Sequence, residues 1–152
     1  MDAMSMRRMT PSSGAATSTS SREANMTECI GRSTAERILE LNKQHDALML
    51  DGQYEDAANL RERVQEEPLS VLVRTGWFSP GQEHEALPEE YEILLGTGGP
   101  AIRIVGELTE FLEPCTARLQ WQDWWKPWAD VVVSQEEEDA ILWYAQQFWF
   151  GA

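Results

Sequence analysis

The stretch Tyr91-Glu92-Ile93-Leu94-Leu95-Gly96-Thr97-Gly98-Gly99-Pro100-Ala101-Ile102-Arg103-Ile104 decides the fold. Tyr91, Ile93 and Leu95 fall at every second position, the period of a half-buried strand. Gly96 to Pro100 is a turn by composition. Ala101 to Leu108 then reads as a second strand, with Ile102 and Ile104 on one side. Upstream, Leu69, Val71 and Val73 alternate with Ser70, Leu72 and Arg74. A polar, turn-rich loop, Ser79-Pro80-Gly81-Gln82-Glu83-His84-Glu85, follows them. Downstream, Cys115, Ala117, Leu119 and Trp121 alternate with Thr116, Arg118, Gln120 and Gln122. Four strands with short connections form an antiparallel meander, because parallel strands need long crossovers. Ser134 and Glu137 have capping-box spacing. They open a helix expected to run to about Phe150 with the stripe Ile141, Tyr144, Ala145 and Phe148. That helix is the nearest cover for one sheet face.

Residues 27–67 read as a helical hairpin. Ser33 and Glu36 are spaced as a capping box, and Ile38, Leu41, His45 and Leu48 recur on one face. Asp51-Gly52 stops the first helix, since glycine accepts the left-handed cap conformation. Ala57, Leu60 and Val64 stripe the second helix, with Tyr54 and Ala58 beside them, and Pro68 ends it. The segment from Leu50 through Tyr54-Glu55-Asp56-Ala57-Ala58-Asn59-Leu60-Arg61 to Val64 resembles the UVR motif. That motif is a helical hairpin of nucleotide-excision-repair subunits and some protease adaptors. The resemblance implies a protein-docking element rather than a catalytic one. The expected class is therefore α+β: a helical hairpin, then a four-stranded antiparallel sheet with a C-terminal helix over residues 68–152.

Residues 1–26 differ from the rest. They are rich in Ser and Thr and hold five of the chain's six methionines but few other large apolar side chains. Such composition buries too little surface to offset ordering entropy. They read as a disordered tail, or as a start assigned upstream of Met9 or Met26.

The chain's 152 residues bring 12 Lys and Arg against 26 Asp and Glu, a formal net charge of −14. Phosphate contacts depend on Lys and Arg, so direct nucleic-acid binding is not expected. No run of about 18 apolar residues spans a bilayer and no secretory leader is apparent. Cys29 and Cys115 form no close-spaced motif, which favours a reducing, cytoplasmic compartment. On its alternating strand, Cys115 reads as a small core residue.

Pro68-Leu69-Ser70-Val71, Gly76-Trp77, Gly98-Gly99-Pro100-Ala101, Gln122-Asp123-Trp124 and Ala145-Gln146-Gln147-Phe148 up to Gly151 resemble uncharacterised small proteins of phages and prophages. The resemblance implies a mobile-element origin in a bacterial host and no particular activity.

No catalytic pattern stands out. Gly96 to Pro100 lacks the Lys and following helix of a phosphate loop. Glu83-His84-Glu85 does not have metal-ligand spacing, and no cofactor is expected. Ser79 with His84 and Glu85 is the only local set for a small hydrolase, the weakest reading. The aromatic residues are more informative. Trp121, Trp124, Trp125 and Trp128 lie close together, and Trp143, Tyr144, Phe148, Trp149 and Phe150 follow. Trp121, Tyr144 and Phe148 fit the core. Trp124, Trp125, Trp128, Trp143 and Trp149 are candidates for partner contact, because Trp gives large contact area at low entropy cost. Glu83, Glu85, Glu89, Glu90, Glu136, Glu137, Glu138 and Asp139 are the candidate acidic contacts for a basic partner. The run Glu136 to Asp139 also complements a helix N-terminus.

The functional expectation is a non-enzymatic acidic protein that binds and inhibits a host nucleic-acid-handling machine. It would resemble anti-CRISPR or anti-restriction proteins in acting by steric or DNA-mimic occlusion. The alternative is a structural or docking adaptor using the hairpin. The sequence leaves the oligomeric state open.

Overall fold

The computed structural model describes residues 19–97 and 100–151. Among them are helix α1 (Thr19–Leu50), helix α2 (Tyr54–Glu66) and helix α3 (Gln135–Ala145). The strands are β1 (Ser70–Thr75), β2 (Pro88–Gly96), β3 (Ala101–Glu107), β4 (Arg118–Gln122) and β5 (Ala129–Asp130). The class is α+β. The strands form one antiparallel sheet in the order β1-β2-β3-β4-β5. Ile93 sits opposite Val71 on one side and Ile104 on the other. Ile104 in turn pairs with Leu119, and Ile102 with Trp121.

The meander has five strands rather than the expected four. The extra strand, β5, has only two residues, too few for alternation to be visible. The fourth strand also starts later than expected, at Arg118. Cys115 lies before it and is exposed, which corrects its reading as a core residue. Its thiol donates to the Glu107 carbonyl at 3.4 Å. The first helix does not start at Ser33: α1 runs from Thr19, so the Ser33–Glu36 spacing lies within a continuous helix. The reading of the N-terminus concerns residues that, up to residue 18, lie outside those described. Gly98 and Gly99 of the β2–β3 turn lie outside as well.

Other local signals are realised. Gly52 takes φ 74° at the α1 C-terminus, a conformation open to glycine without a Cβ clash. Ala57, Leu60 and Val64 form the buried stripe of α2. Ser134 and Glu137 form a complete capping box on α3, which ends at Ala145, earlier than the expected Phe150. Ile141, Tyr144 and Ala145 are fully buried.

The core lies between one face of the sheet and the helices. Tyr91, Ile93, Ile102, Ile104 and Leu119 meet Ala35 and Ile38 of α1 and Ala140, Ile141 and Tyr144 of α3. Gly31, Ala35 and Ile38 lie on one face of α1 at helical spacing. A Cβ at Gly31 would stand 2.7 Å from Val131 Cγ2, so glycine lets the helix seat against the β5–α3 connection. Buried hydroxyls are satisfied. Tyr91 donates to the Thr116 carbonyl at 2.6 Å, and Tyr144 donates to Glu67 at 2.7 Å. Burial pushes both phenols above their ordinary pKa of 10.

An ion pair locks the helices beside Gly31. Arg32 donates to both carboxylate oxygens of Glu137, at 3.0 and 2.9 Å. It also donates to the Val132 carbonyl at 2.7 Å. Glu137 accepts from the Ser134 backbone N–H at 2.9 Å. It is only 5% exposed. Glu67 makes a similar tie, since it accepts from Arg37 of α1 at 2.9 Å as well as from Tyr144 of α3.

The Arg32 hydrogen bonds hold the Glu137 carboxyl below its ordinary value of 4.5, and the Ser134 N–H lowers it further. A depressed folded-state value stabilises the fold above the unfolded carboxyl's pKa. That contribution is lost as the pH falls through the lower folded-state value. Acid titration followed by circular dichroism should show this loss below about pH 4.5, and Glu137→Gln should remove this component of the pH dependence. Arg32→Ala should destabilise by about 2 kcal/mol in urea melts at neutral pH, less than for a fully buried pair because Arg32 is partly solvated. A loss within about 0.5 kcal/mol would mean that the pair is a surface ornament.

Candidate binding surface

The β4–β5 turn is built to display two indoles. Asp123 accepts from the Trp124 backbone N–H at 2.9 Å, and its carbonyl accepts from the Lys126 N–H at 3.2 Å. Gln122 donates from its side chain to the Lys126 carbonyl at 2.8 Å. These bonds close a short, stiff turn. Trp125 sits at its tip with φ 62°, a left-handed conformation that a bulky residue rarely adopts. Trp124 is 60% exposed and Trp125 is 97% exposed. Their ring centroids lie 6.5 Å apart. Two large rings are thus held in solvent, Trp125 on a backbone conformation that disfavours it.

The other tryptophan candidates divide. Trp149 is 75% exposed near the C-terminus. Trp128 and Trp143 are half-buried and packed against neighbours. The Arg103 guanidinium lies 4.0 Å from the Trp128 ring centroid, a cation–π geometry. Trp143 packs against His45, with centroids 5.3 Å apart. Arg61 donates to Nε2 of that histidine at 2.7 Å. Trp121, Tyr144 and Phe148 pack in or against the core as expected.

The acids divide as well. Glu83 and Glu85 lie exposed on a single 3-10 turn, Glu83–Glu85, and Glu89 is exposed at the start of β2. Glu90 is half-buried and paired across the strands with Arg74. Glu136 is exposed, 3.6 Å from Lys43 Nζ. Glu138 and Asp139 are exposed. Glu137 is the exception in its run: its carboxylate faces inward to Arg32, so it presents no charge to a partner. From Glu28 onward, every acid except Glu90, Glu92, Asp123 and Glu137 is exposed.

Sequence reasoning missed Trp77 and Phe111. Trp77, just past β1, is fully exposed, and Phe111 largely so. Each stands outside the aromatic-dense segments and in no periodic pattern. The outer sheet face holds an open groove of about 600 Å³. Its arginines are already engaged, as Arg103 donates to Glu92 at 2.6 Å and to Gln120 at 2.9 Å. Among the described residues, no cluster of three or more His, Cys, Asp or Glu is placed to hold a metal ion. No described helix is long and apolar enough to cross a membrane.

No family model, no curated protein and no solved structure matches the chain.

If Trp125 is displayed rather than packed, replacing it should not harm the fold. Trp125→Gly should leave stability unchanged or raise it by about 1 kcal/mol, because glycine tolerates the left-handed position. Trp128→Ala should cost about 1–2 kcal/mol through lost packing and the Arg103 contact. Paired urea melts check both. A large loss for Trp125→Gly would place its ring in the core.

Proposed function

We propose that the chain is a non-catalytic binding protein that docks onto a basic protein or nucleoprotein partner. The single observation that carries this reading is the rigid turn holding Trp124 and Trp125 in solvent. Exposed indoles on a stiff loop pay little entropy on contact, and tryptophan dominates interface energetics. The acid-dense exterior supplies the second half. A surface of this sign raises the encounter rate with basic partners and repels acidic ones. Machines that handle nucleic acid present basic grooves, and an acidic protein seated in such a groove excludes the polymer. Inhibition by occlusion, as anti-CRISPR or anti-restriction proteins act, is the functional form consistent with these features and with the phage-like resemblance.

A second reading draws on the hairpin tip. Leu50 and Tyr54 are both well exposed there, beside Met49. An apolar tip of this kind suits a docking adaptor, as the UVR-like pattern implies. The two readings use different residues and are therefore separable.

The test is capture of partners by the tagged full chain from nuclease-treated bacterial lysate, identified by mass spectrometry. The occlusion reading predicts one basic complex, released as salt is raised. It also predicts at least tenfold weaker capture by Trp124→Ala/Trp125→Ala and by reversal of Glu136, Glu138 and Asp139 to Lys. The adaptor reading predicts loss with Leu50→Ser/Tyr54→Ser instead. Capture insensitive to salt and to the tryptophan and charge variants would overturn the occlusion reading.

A further inference from the structure

Strand β1 is an edge left bare on both faces. It heads the strand order, and no strand lies beyond it among the described residues. From Val71 to Thr75 every residue is exposed. Val71 and Val73 pair with Ile93 and Tyr91, so they belong to the core-facing side of the sheet. Yet α1 and α3 pack toward β4 at the other end, and the valines stay 37% and 45% exposed. Leu72 is exposed on the opposite face, and Leu69 and Trp77 flank the strand, both exposed. Edge strands of monomers are usually blunted by lysine, proline or a central bulge. Here the register shift comes only at the end, between Arg74 and Thr75.

We propose that a second copy of this chain covers that edge. The two β1 strands pair antiparallel about a two-fold axis through Leu72. The sequence is self-complementary in that register. Leu72 faces Leu72 of the partner copy, and Val71 faces Val73 of the partner copy, twice over by symmetry. The four valines then form one apolar cluster on the helix-bearing side, and the two leucines meet on the other. Ser70 falls opposite Arg74 of the partner copy. Trp77 of each copy lies alongside the Leu69 end of the other. A heterologous partner would have no reason to match this symmetry.

Charge permits the contact. Two chains of net charge −14 repel in general. From Pro68 to Gly81, however, the only charged residue is Arg74. The pairing thus joins the copies along an acid-free seam and leaves the acidic surfaces outside. It continues the meander into a ten-stranded sheet and satisfies the free backbone donors and acceptors of β1. An edge contact of this extent is smaller than a standard interface, so the association should be reversible on dilution.

Sedimentation equilibrium of the full chain over a concentration series tests this. The expected result is a mass rising from 17.3 kDa toward twice that value. Leu72→Arg and, separately, Val73→Lys should each return the monomer with an unchanged circular dichroism spectrum. Register is tested in a Cys29→Ser/Cys115→Ser background. Leu72→Cys should crosslink to a covalent dimer with an oxidant or a short thiol-bridging reagent, whereas Val105→Cys on the same sheet face should not. A monomer at every soluble concentration would overturn the proposal. So would a dimer indifferent to Leu72→Arg, or efficient crosslinking at Val105→Cys rather than Leu72→Cys.

Discussion

The seating of α1 against the segment that leads into α3 is the constraint on which the structure depends. It has a steric part and an electrostatic part, one residue apart. Gly31 removes the Cβ that would strike Val131, and Arg32 takes up the carboxylate of Glu137. Without the close approach, the guanidinium cannot reach. Without the guanidinium, Glu137 is a buried acid with only its capping bonds, and buried charge without a partner is costly. The same carboxylate completes the α3 capping box. One side chain therefore caps its own helix and anchors another that is about a hundred residues away in sequence.

Away from that seating, parts of the sheet and its turns stay exposed. With α1 and α3 packed toward the β4 end of the sheet, Val71 and Val73 of β1 stay exposed. In the β4–β5 turn, Trp124 and Trp125 are exposed. Most acids among the described residues are exposed, whereas Glu137 is held inside by Arg32 and Glu92 is half-buried against Arg103. The described surface carries three features: an exposed apolar edge strand, a pair of exposed indoles and an acidic exterior. We propose a like copy for the apolar strand and a basic partner for the indoles with the acids.

Much of the fold was legible because it is written in local signals. Period-two alternation located β1, β2 and β3. Gly52 marked the end of α1, and Ser134 with Glu137 marked the start of α3. The misses share a physical cause. Ser33 and Glu36 have the spacing of a cap, but spacing does not reveal that the helix continues upstream. A two-residue strand such as β5 has no period to detect. Cys115 alternates with its neighbours although the strand begins only at Arg118. Among the candidate tryptophans, Trp124, Trp125 and Trp149 are exposed, whereas Trp128 and Trp143 are half-buried. Their burial depends on Arg103 and His45, distant residues that no sequence window contains. The inward turn of Glu137 was half-written in the capping box. Its other half, Arg32, lies too far away to be read.

The central claim is that binding is carried by the displayed turn and the acidic surface rather than by the helix-covered core. Hydroxyl-radical footprinting of the chain, alone and with its captured partner, tests it most directly. The account predicts that oxidation of Trp124 and Trp125 falls sharply in the complex while Tyr144 and Tyr91 stay unreactive in both states. Undiminished oxidation of Trp124 and Trp125 in a complex that protects other surfaces would contradict it.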